Sequence, residues 1–181
     1  ASLLPEDWSK TLIDMNTGKL KDKDIQWADY VFISAMAIQK NSAERVIERC
    51  KDLNAKTVVG GPLFTAFAYN YTDVDHMILN EAEITLPEFI EDINQGNTRK
   101  LYKTKEKPDL KNTPVPDWDL IDMNSYAIMG VQYSRGCPFD CDFCDVTRLF
   151  GRKPRIKRTS QVLEELESLY VRGWRGEVFF V

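Results

Sequence analysis

The residues best suited to chemistry are three cysteines that fall within eight positions of one another, Cys137, Cys141 and Cys144. Their spacing is C-x3-C-x2-C, and they follow a segment with the pattern of a β-strand. Three thiolates on one loop can bind three irons of a four-iron cubane and leave the fourth iron open to an exogenous chelating ligand. Structural zinc takes four protein ligands, commonly from two separated pairs, and no fourth Cys or His lies near in the sequence. The spacing therefore favours an iron–sulfur cluster, with a zinc knuckle or incidental thiols as the alternative.

The composition excludes several classes of protein. The chain of 181 residues is 43% hydrophobic, 11% aromatic and 29% charged, which is typical of a globular protein. Its 24 Lys and Arg residues against 28 Asp and Glu residues leave a net charge of −4, so it has no overall positive field with which to bind nucleic acid. No apolar run approaches the ~20 residues that a membrane span requires. Four cysteines are too few for a disulfide scaffold, and we expect a cytoplasmic protein whose clustered thiols are metal ligands or redox groups.

The first part of the chain alternates between strand and helix patterns. Strands are predicted over residues 9–15, 30–37, 56–59 and 76–79, and amphipathic helices follow the second and the fourth of them. Strands that alternate with helices indicate a parallel sheet with helices on both faces, which is a Rossmann-like doubly wound α/β fold. We predict this domain over residues 1–96. Its opening residues have the pattern of a helix end, so we expect it to be incomplete at its N-terminus.

The second part of the chain begins with a linker and continues with a β-α-β pattern. Residues 97–125 are rich in Lys and are punctuated by Pro108, Pro114 and Pro116, as inter-domain linkers are. A strand is then predicted over residues 126–134, a helix capped by Thr159 and Ser160, and a further strand over residues 177–181. Because the pattern stops within a strand, we expect the second domain, residues 126–181, to be truncated.

A basic run lies between the cysteines and the last predicted helix. We interpret it as a solvated loop, with the binding of an anionic substrate or cofactor phosphate as the alternative. It comprises Arg148, Arg152, Lys153, Arg155, Lys157 and Arg158.

The cysteine segment resembles the signature of the radical S-adenosylmethionine (radical SAM) superfamily. In that superfamily a C-x3-C-x-aromatic-C loop follows the first strand of a TIM-like barrel, and Cys137, Cys141 and Cys144 match its cluster ligands one by one. Phe143 matches the aromatic residue that lies against the adenine of S-adenosylmethionine. The resemblance implies a [4Fe–4S] cluster that cleaves S-adenosylmethionine reductively to methionine and a 5′-deoxyadenosyl radical. It also implies that residues 126–181 form the first β-α-β unit of a truncated TIM-like barrel.

The region that leads into the cysteines is similar to the cobalamin-binding-domain-containing group of the superfamily, of the Fe–S oxidoreductase or methyltransferase type. Members of that group place a D-x-H-x-x-G loop, an S-x-L strand end and a G-G turn around the cobalamin. Here Asn16 replaces the histidine of the first motif, Ser34 begins the second, and Gly60 and Gly61 form the third. The resemblance implies a cobalamin-binding domain in which no histidine ligates the cobalt. The alternative is an ordinary Rossmann-like sheet whose cofactor site has decayed.

The resemblance also implies a function for the parent protein. It would be an enzyme that uses the 5′-deoxyadenosyl radical for cobalamin-dependent methylation, or for another radical modification, of an unactivated carbon in a small-molecule substrate. An electron donor such as flavodoxin or ferredoxin would be its partner, and neither nucleic acid nor a membrane span is expected. Two alternatives belong to other classes of protein. One is a non-catalytic cofactor-binding or electron-transfer iron–sulfur module, and the other is a zinc-stabilised interaction domain.

Overall fold

The computed structural model describes residues 1–139 and 141–181, which form two compact units. The first unit is Leu20–Lys107, and the second combines Ala1–Lys19 with Pro108–Val181. The predicted domain bounds of 1–96 and 126–181, with a linker over 97–125, differ from this division at the first residues and within the linker. Each unit is described by itself below.

The first unit is built on a four-stranded parallel sheet in which the strand order follows the chain. Its strands are β1 (Tyr30–Ser34), β2 (Lys56–Gly60), β3 (His76–Leu79) and β4 (Leu101–Lys103), and a short helix α1 (Asp22–Trp27) precedes them. The register aligns Ser34 with Gly60, and Gly60 with Ile78. The carboxyl ends of the first three strands therefore lie side by side at one edge of the sheet.

Helices cover both faces of this sheet. On one face, α2 (Lys40–Asp52) and α3 (Pro62–Phe67) bury apolar side chains against Ile33, Val59 and Leu79. On the other face, α4 (Ala82–Asn94) places Phe89, which is fully buried, edge-on to the rings of Tyr30, Phe32 and Tyr102. Ring centroids in these pairs are 5.8, 6.2 and 5.3 Å apart. The prediction of a doubly wound, Rossmann-like sheet is confirmed.

The second unit contains the predicted β-α-β unit. Strands β5 (Ile128–Val131) and β8 (Glu177–Phe180) pair in parallel, and α6 (Thr159–Val171) connects them by packing Val162 and Leu169 on Met129 and Val131. Between β5 and α6 lie a two-residue strand β6 (Ser134–Arg135), a short helix α5 (Val146–Phe150) and a second two-residue strand β7 (Arg155–Ile156). The fold class of a parallel α/β domain followed by the first β-α-β of a barrel is confirmed.

Three details of the predicted elements are wrong. Residues 9–15 do not form a strand, because Asp14 starts a tight turn in which its carbonyl accepts from the N–H groups of Thr17 and Gly18. The predicted linker contains β4, which is held in the sheet by the fully buried Tyr102. Arg158, rather than Thr159 and Ser160, precedes the first turn of α6, and its N–H donates to Gln161 Oε1 at 2.9 Å.

In the part of the chain that the structure describes, no helix combines the length and the apolar character that crossing a bilayer requires.

Phe89 generates a prediction about stability. Replacing Phe89 with Ala removes a fully buried ring from a cluster of aromatic side chains, so we expect the free energy of unfolding to fall by about 3–5 kcal/mol. Chemical denaturation would measure this loss. Ile38→Ala is the control, because Ile38 belongs to the same unit and is 94% exposed. A loss for Phe89→Ala no larger than that of the control would contradict the assigned core.

Candidate metal-binding loop and cofactor edge

The cysteine loop is closed at its neck by short antiparallel strands. Strand β6 leads into the loop and β7 leads out of it, with Ser134 opposite Ile156 and Arg135 opposite Arg155. Inside the neck, the N–H of Cys137 donates to the carbonyl of Gly151 at 3.1 Å. The two ends of the loop are therefore held together, and the three cysteines lie on one closed segment.

A glycine makes the tight approach at the neck possible. Gly136, directly before the first cysteine, has a φ of +93°. A Cβ at this position would lie 2.7 Å from the carbonyl oxygen of Lys153 and 3.1 Å from that of Gly151. Any side chain would therefore force apart the two strands of the neck, and only glycine fits both the backbone conformation and the space.

The three thiols are free and accessible. Cys141 is exposed and Cys137 and Cys144 are half-buried, and none of them forms a disulfide. The N–H of Cys144 donates to the carbonyl of Cys141 at 3.0 Å, which turns the chain between these two residues. Among the described residues, no three Cys, His, Asp or Glu side chains already lie close enough to hold a metal ion, and Asp140 is outside those residues. The donor set, three thiols on one closed loop, fits a cluster that binds three protein ligands.

Phe143 lies next to the last cysteine with its ring 93% exposed. An exposed aromatic ring beside the thiols is available to stack on a planar group such as adenine. Its role in binding S-adenosylmethionine remains a prediction.

The structure divides the basic run into residues with different surroundings. Arg155 donates to the carbonyls of Pro108 at 2.8 Å and Phe150 at 3.2 Å, and Lys157 is buried in an ion pair with Glu165. Exposed cations of the run are Arg148, Arg152, Lys153 and Arg158. The interpretation as a solvated loop is thus wrong for Arg155 and Lys157, because both are turned inward to polar partners.

In the first unit, Ser34, Gly60 and Gly61 meet at the carboxyl edge of the sheet. Ser34 and Gly60 are aligned in the register, and Gly61 has a φ of +85°. A Cβ on Gly61 would lie 2.6 Å from Ser34 Oγ, and a Cβ on Gly60 would lie 2.9 Å from the carbonyl oxygen of Ile78. Open α/β sheets bind ligands at this edge, where small residues allow a ligand to approach the backbone. The structure brings these three predicted residues together.

The third strand adds two side chains to the same edge that the cobalamin motifs do not include. Asn80 has a φ of +67°, its N–H donates to Thr65 Oγ1 at 3.0 Å, and its side-chain amide donates to the carbonyl of Thr104. The next residue, Glu81, is buried and lies 3.4 Å from Lys107 Nζ. The sequence signal for this turn was an Asn directly after a buried strand, a position where Asn tolerates the left-handed conformation.

Asn16 belongs to the second unit, whereas Ser34, Gly60 and Gly61 belong to the first. Its N–H and its side-chain amide both donate to Asp14 Oδ1 at 2.8 Å. Because a carboxylate oxygen only accepts, the amide NH2 of Asn16 faces Asp14. Its role toward cobalamin remains a prediction.

A short sequence motif that occurs twice in the chain explains the turn at Asn16. Residues 13–17 and 121–125 both read Ile-Asp-Met-Asn followed by Thr or Ser. In the second copy, the N–H and the amide of Asn124 also donate to Asp122 Oδ1, each at 3.1 Å. Asp14 also accepts from the hydroxyl of Tyr126 at 2.8 Å, directly after the second copy. The motif is therefore a locally specified turn, which the interpretation as a strand end missed.

These contacts generate a pH prediction. The N–H of Asn16, together with the Tyr126 hydroxyl, holds the pKa of the Asp14 carboxyl below its ordinary value. Tyr126→Phe removes one donor, so the pKa of Asp14 should rise toward the ordinary value of a carboxyl group. Because the folded-state pKa is lowered, the stabilisation is complete above the ordinary value and is lost as the pH falls through the folded-state value.

An NMR titration of the Asp14 carboxyl carbon would measure that shift. The stability difference between the unsubstituted protein and Tyr126→Phe should shrink as the pH falls below about 4. Tyr69→Phe is the control, because Tyr69 is 75% exposed. An Asp14 titration that Tyr126→Phe leaves unchanged would show that the hydroxyl does not act on this carboxylate.

Comparison with known proteins identifies relatives along the whole chain. No protein-family model matches it. It is 42% identical over 183 residues to a methyltransferase of Synechocystis sp. that is described as uncharacterised, and 31% identical over 185 residues to the hopanoid C-2 methylase of Rhodopseudomonas palustris. Each alignment includes 100% of this chain but 34% and 35% of the respective relative. The chain thus spans about a third of the length of these curated relatives.

A solved structure shares the fold. The radical S-adenosylmethionine methyltransferase TsrM from Kitasatospora setae, solved with cobalamin and a [4Fe–4S] cluster bound, matches with a TM-score of 0.61. The match covers 84% of this chain and 37% of TsrM at 15% identity, so it bears on the fold alone. The curated relatives, methyltransferases that are similar to the chain over its whole length, confirm the resemblance that the cysteine motif carries, and TsrM shows that a cobalamin-binding radical SAM methyltransferase has this fold.

Proposed function

We propose that this chain is the part of a radical SAM enzyme that holds the [4Fe–4S] cluster and contacts S-adenosylmethionine. The observation that carries the proposal is the closed loop on which Cys137, Cys141 and Cys144 are all free thiols. When bound, such a cluster supplies the electron for reductive cleavage of S-adenosylmethionine. The parent protein would receive that electron from a cytoplasmic donor such as flavodoxin or ferredoxin.

The residues of this chain would bind and orient the two groups. The three thiolates would hold three irons of the cluster, and Gly136 allows the neck to close directly before Cys137, the first of the three. Phe143 offers an exposed ring face to the adenine. Both the loop and the N-terminal end of α6 follow the carboxyl end of β5, which is the end where parallel barrels place their reacting groups.

We further propose that the first unit binds cobalamin at the edge formed by Ser34, Gly60 and Gly61. Support comes from Gly60 and Gly61, which have no side chain at the end of β2, and from the exposed hydroxyl of Ser34 at the end of β1. The parent enzyme would then methylate an unactivated carbon of a small molecule, as the names of its methyltransferase relatives suggest. The alternative function proposed for the same site is another radical modification of such a carbon.

The cluster assignment predicts a specific loss of metal. In the full-length protein, reconstituted anaerobically with iron and sulfide, we expect one [4Fe–4S] cluster per chain. The triple variant Cys137→Ala, Cys141→Ala, Cys144→Ala should contain none, because no thiolates remain on the loop. Cys50→Ala is the matched control, because Cys50 is fully buried in the first unit and should not affect the iron content.

Iron and sulfide analysis decides between the alternatives. Undiminished iron and sulfide in the triple variant would overturn the ligand assignment, and zinc in place of iron would favour an interaction domain. Formation of 5′-deoxyadenosine from S-adenosylmethionine separates an enzyme from an electron-transfer module. A reconstituted protein that never forms it would contradict the enzymatic proposal.

The cobalamin assignment predicts a corrinoid without a protein imidazole ligand. The sequence contains a single histidine, His76, and Asn16 occupies the position of the histidine in the D-x-H-x-x-G motif. His76 is buried against Phe89, and its Nδ1 donates to the carbonyl of Arg99 at 2.7 Å. Electron paramagnetic resonance of the Co(II) form should therefore show no nitrogen splitting from imidazole of this chain. Such a splitting, lost in His76→Gln, would refute the prediction.

A further inference from the structure

The neck of the cysteine loop is attached to helix α6 by one buried ion pair. Lys157 directly follows β7, and its N–H donates to the carbonyl of Tyr133 at 2.9 Å. Its ammonium group contacts Glu165 Oε1, and the side chains of Lys157 and Glu165 are 5% and 1% exposed. One residue thus joins the base of the neck by its backbone and the middle of α6 by its side chain.

The position of Glu165 in α6 is unusual for a carboxylate. It lies between Val162 and Leu169 on the face that packs against β5, where these neighbours bury apolar side chains. Within the described residues, Glu165 Oε2 is buried without a hydrogen-bond partner. A buried ion pair with incomplete hydrogen bonding is no more stabilising than apolar side chains of similar volume. Stability alone therefore does not account for charged residues at these two positions.

The strands of the neck are too short to define their own alignment. Each of β6 and β7 contains two residues, and a pairing of that length is easily displaced by one position. A shift of one residue along β7 would turn Lys157 away from α6, toward the side on which Ile156 and Arg158 are exposed, and would leave the Glu165 carboxylate buried without its partner. The ion pair therefore distinguishes the observed alignment from its neighbours, and that alignment determines where Gly136 and Cys137 enter the loop.

We propose that Lys157 and Glu165 are positioning residues for the cluster: their ion pair fixes β7 on α6 and so holds the base of the loop from which the three thiols would reach the irons. This inference rests on the proposed function and deepens it. The ion pair has a different role from the hydrogen bond of Arg155. Arg155 donates to the carbonyl of Phe150, on the side of the loop that leads into β7. Neither Lys157 nor Glu165 is proposed to touch the cluster or S-adenosylmethionine.

The test compares single and double variants of the full-length protein after anaerobic reconstitution. Lys157→Met and Glu165→Leu each leave one buried charge without its partner, and the double variant replaces the pair with apolar side chains of similar size. Arg172→Met is the control. Arg172 directly follows the end of the same helix, and its ion pair with Asp119, 2.8 Å long, is partly exposed. For each protein, three quantities are measured: the thermal unfolding midpoint, the rate of iron release to a chelator, and the electron paramagnetic resonance spectrum of the reduced cluster with S-adenosylmethionine.

A positioning role predicts that stability and cluster retention separate. Both single variants should unfold at lower temperature, and the double variant should regain the midpoint of the unsubstituted protein. The double variant should nevertheless release iron about tenfold faster, as loss of residues that orient metal ligands usually does, and its cluster spectrum should differ. Arg172→Met should match the unsubstituted protein in iron release and spectrum.

Two results would overturn the inference alone, and a third would overturn it together with the proposed function. If the double variant regains both stability and normal iron release, the pair is only structural. If either single variant keeps the normal release rate and spectrum, the pair does not position the thiols. An unsubstituted protein that takes up no iron and sulfide would overturn the proposed function and this inference together.

Discussion

Antiparallel pairing of β6 with β7 closes the loop that carries the cysteines, and the candidate metal site in the second unit depends on this closure. A loop that was open at its base would lose much conformational entropy on bringing three thiols to one cluster. In the structure, the hydrogen bond from Cys137 to Gly151 and the missing side chain at Gly136 reduce that loss before any metal binds. Closure of the neck would therefore prepare the loop for the cluster that we propose.

Small residues also shape the carboxyl edge of the parallel sheet in the first unit. Because the strands run in parallel, their carboxyl ends collect at one edge, and helices on both faces leave that edge as the approach to the backbone. Gly60 and Gly61 contribute no side chain to this edge, and a Cβ at either position would meet Ile78 or Ser34 at less than 3 Å. Phe89 and its aromatic neighbours fill the core on one face of this sheet.

Polar side chains in this protein act on position as much as on stability. Asp14 gathers donors from Asn16 and Tyr126, and Lys157 joins the neck to Glu165 in an apolar layer. Hydrogen bonds and buried ion pairs depend on direction, which apolar contacts do not, so they distinguish one alignment of a short segment from another. This is the physical reason that turns and two-residue strands are tied by polar groups, whereas the long helices rely on apolar faces.

The sequence by itself determined what depends on neighbouring residues: the strands predicted over 30–37, 56–59 and 76–79, the helices after the first and the last of these, the β-α-β order, and the cysteine spacing with its family resemblance. In the structure the first two of these strands are Tyr30–Ser34 and Lys56–Gly60, and α3 (Pro62–Phe67) is an additional helix. Tertiary structure decided what depends on distant partners. Tyr102 is buried in the sheet and brings a short Lys-flanked segment into it as β4, and Glu165 pairs with Lys157, which the sequence placed in a solvated basic run. These contacts join residues that local periodicity does not relate, because a strand at a sheet edge and a buried charge each exist only when their partners are in place.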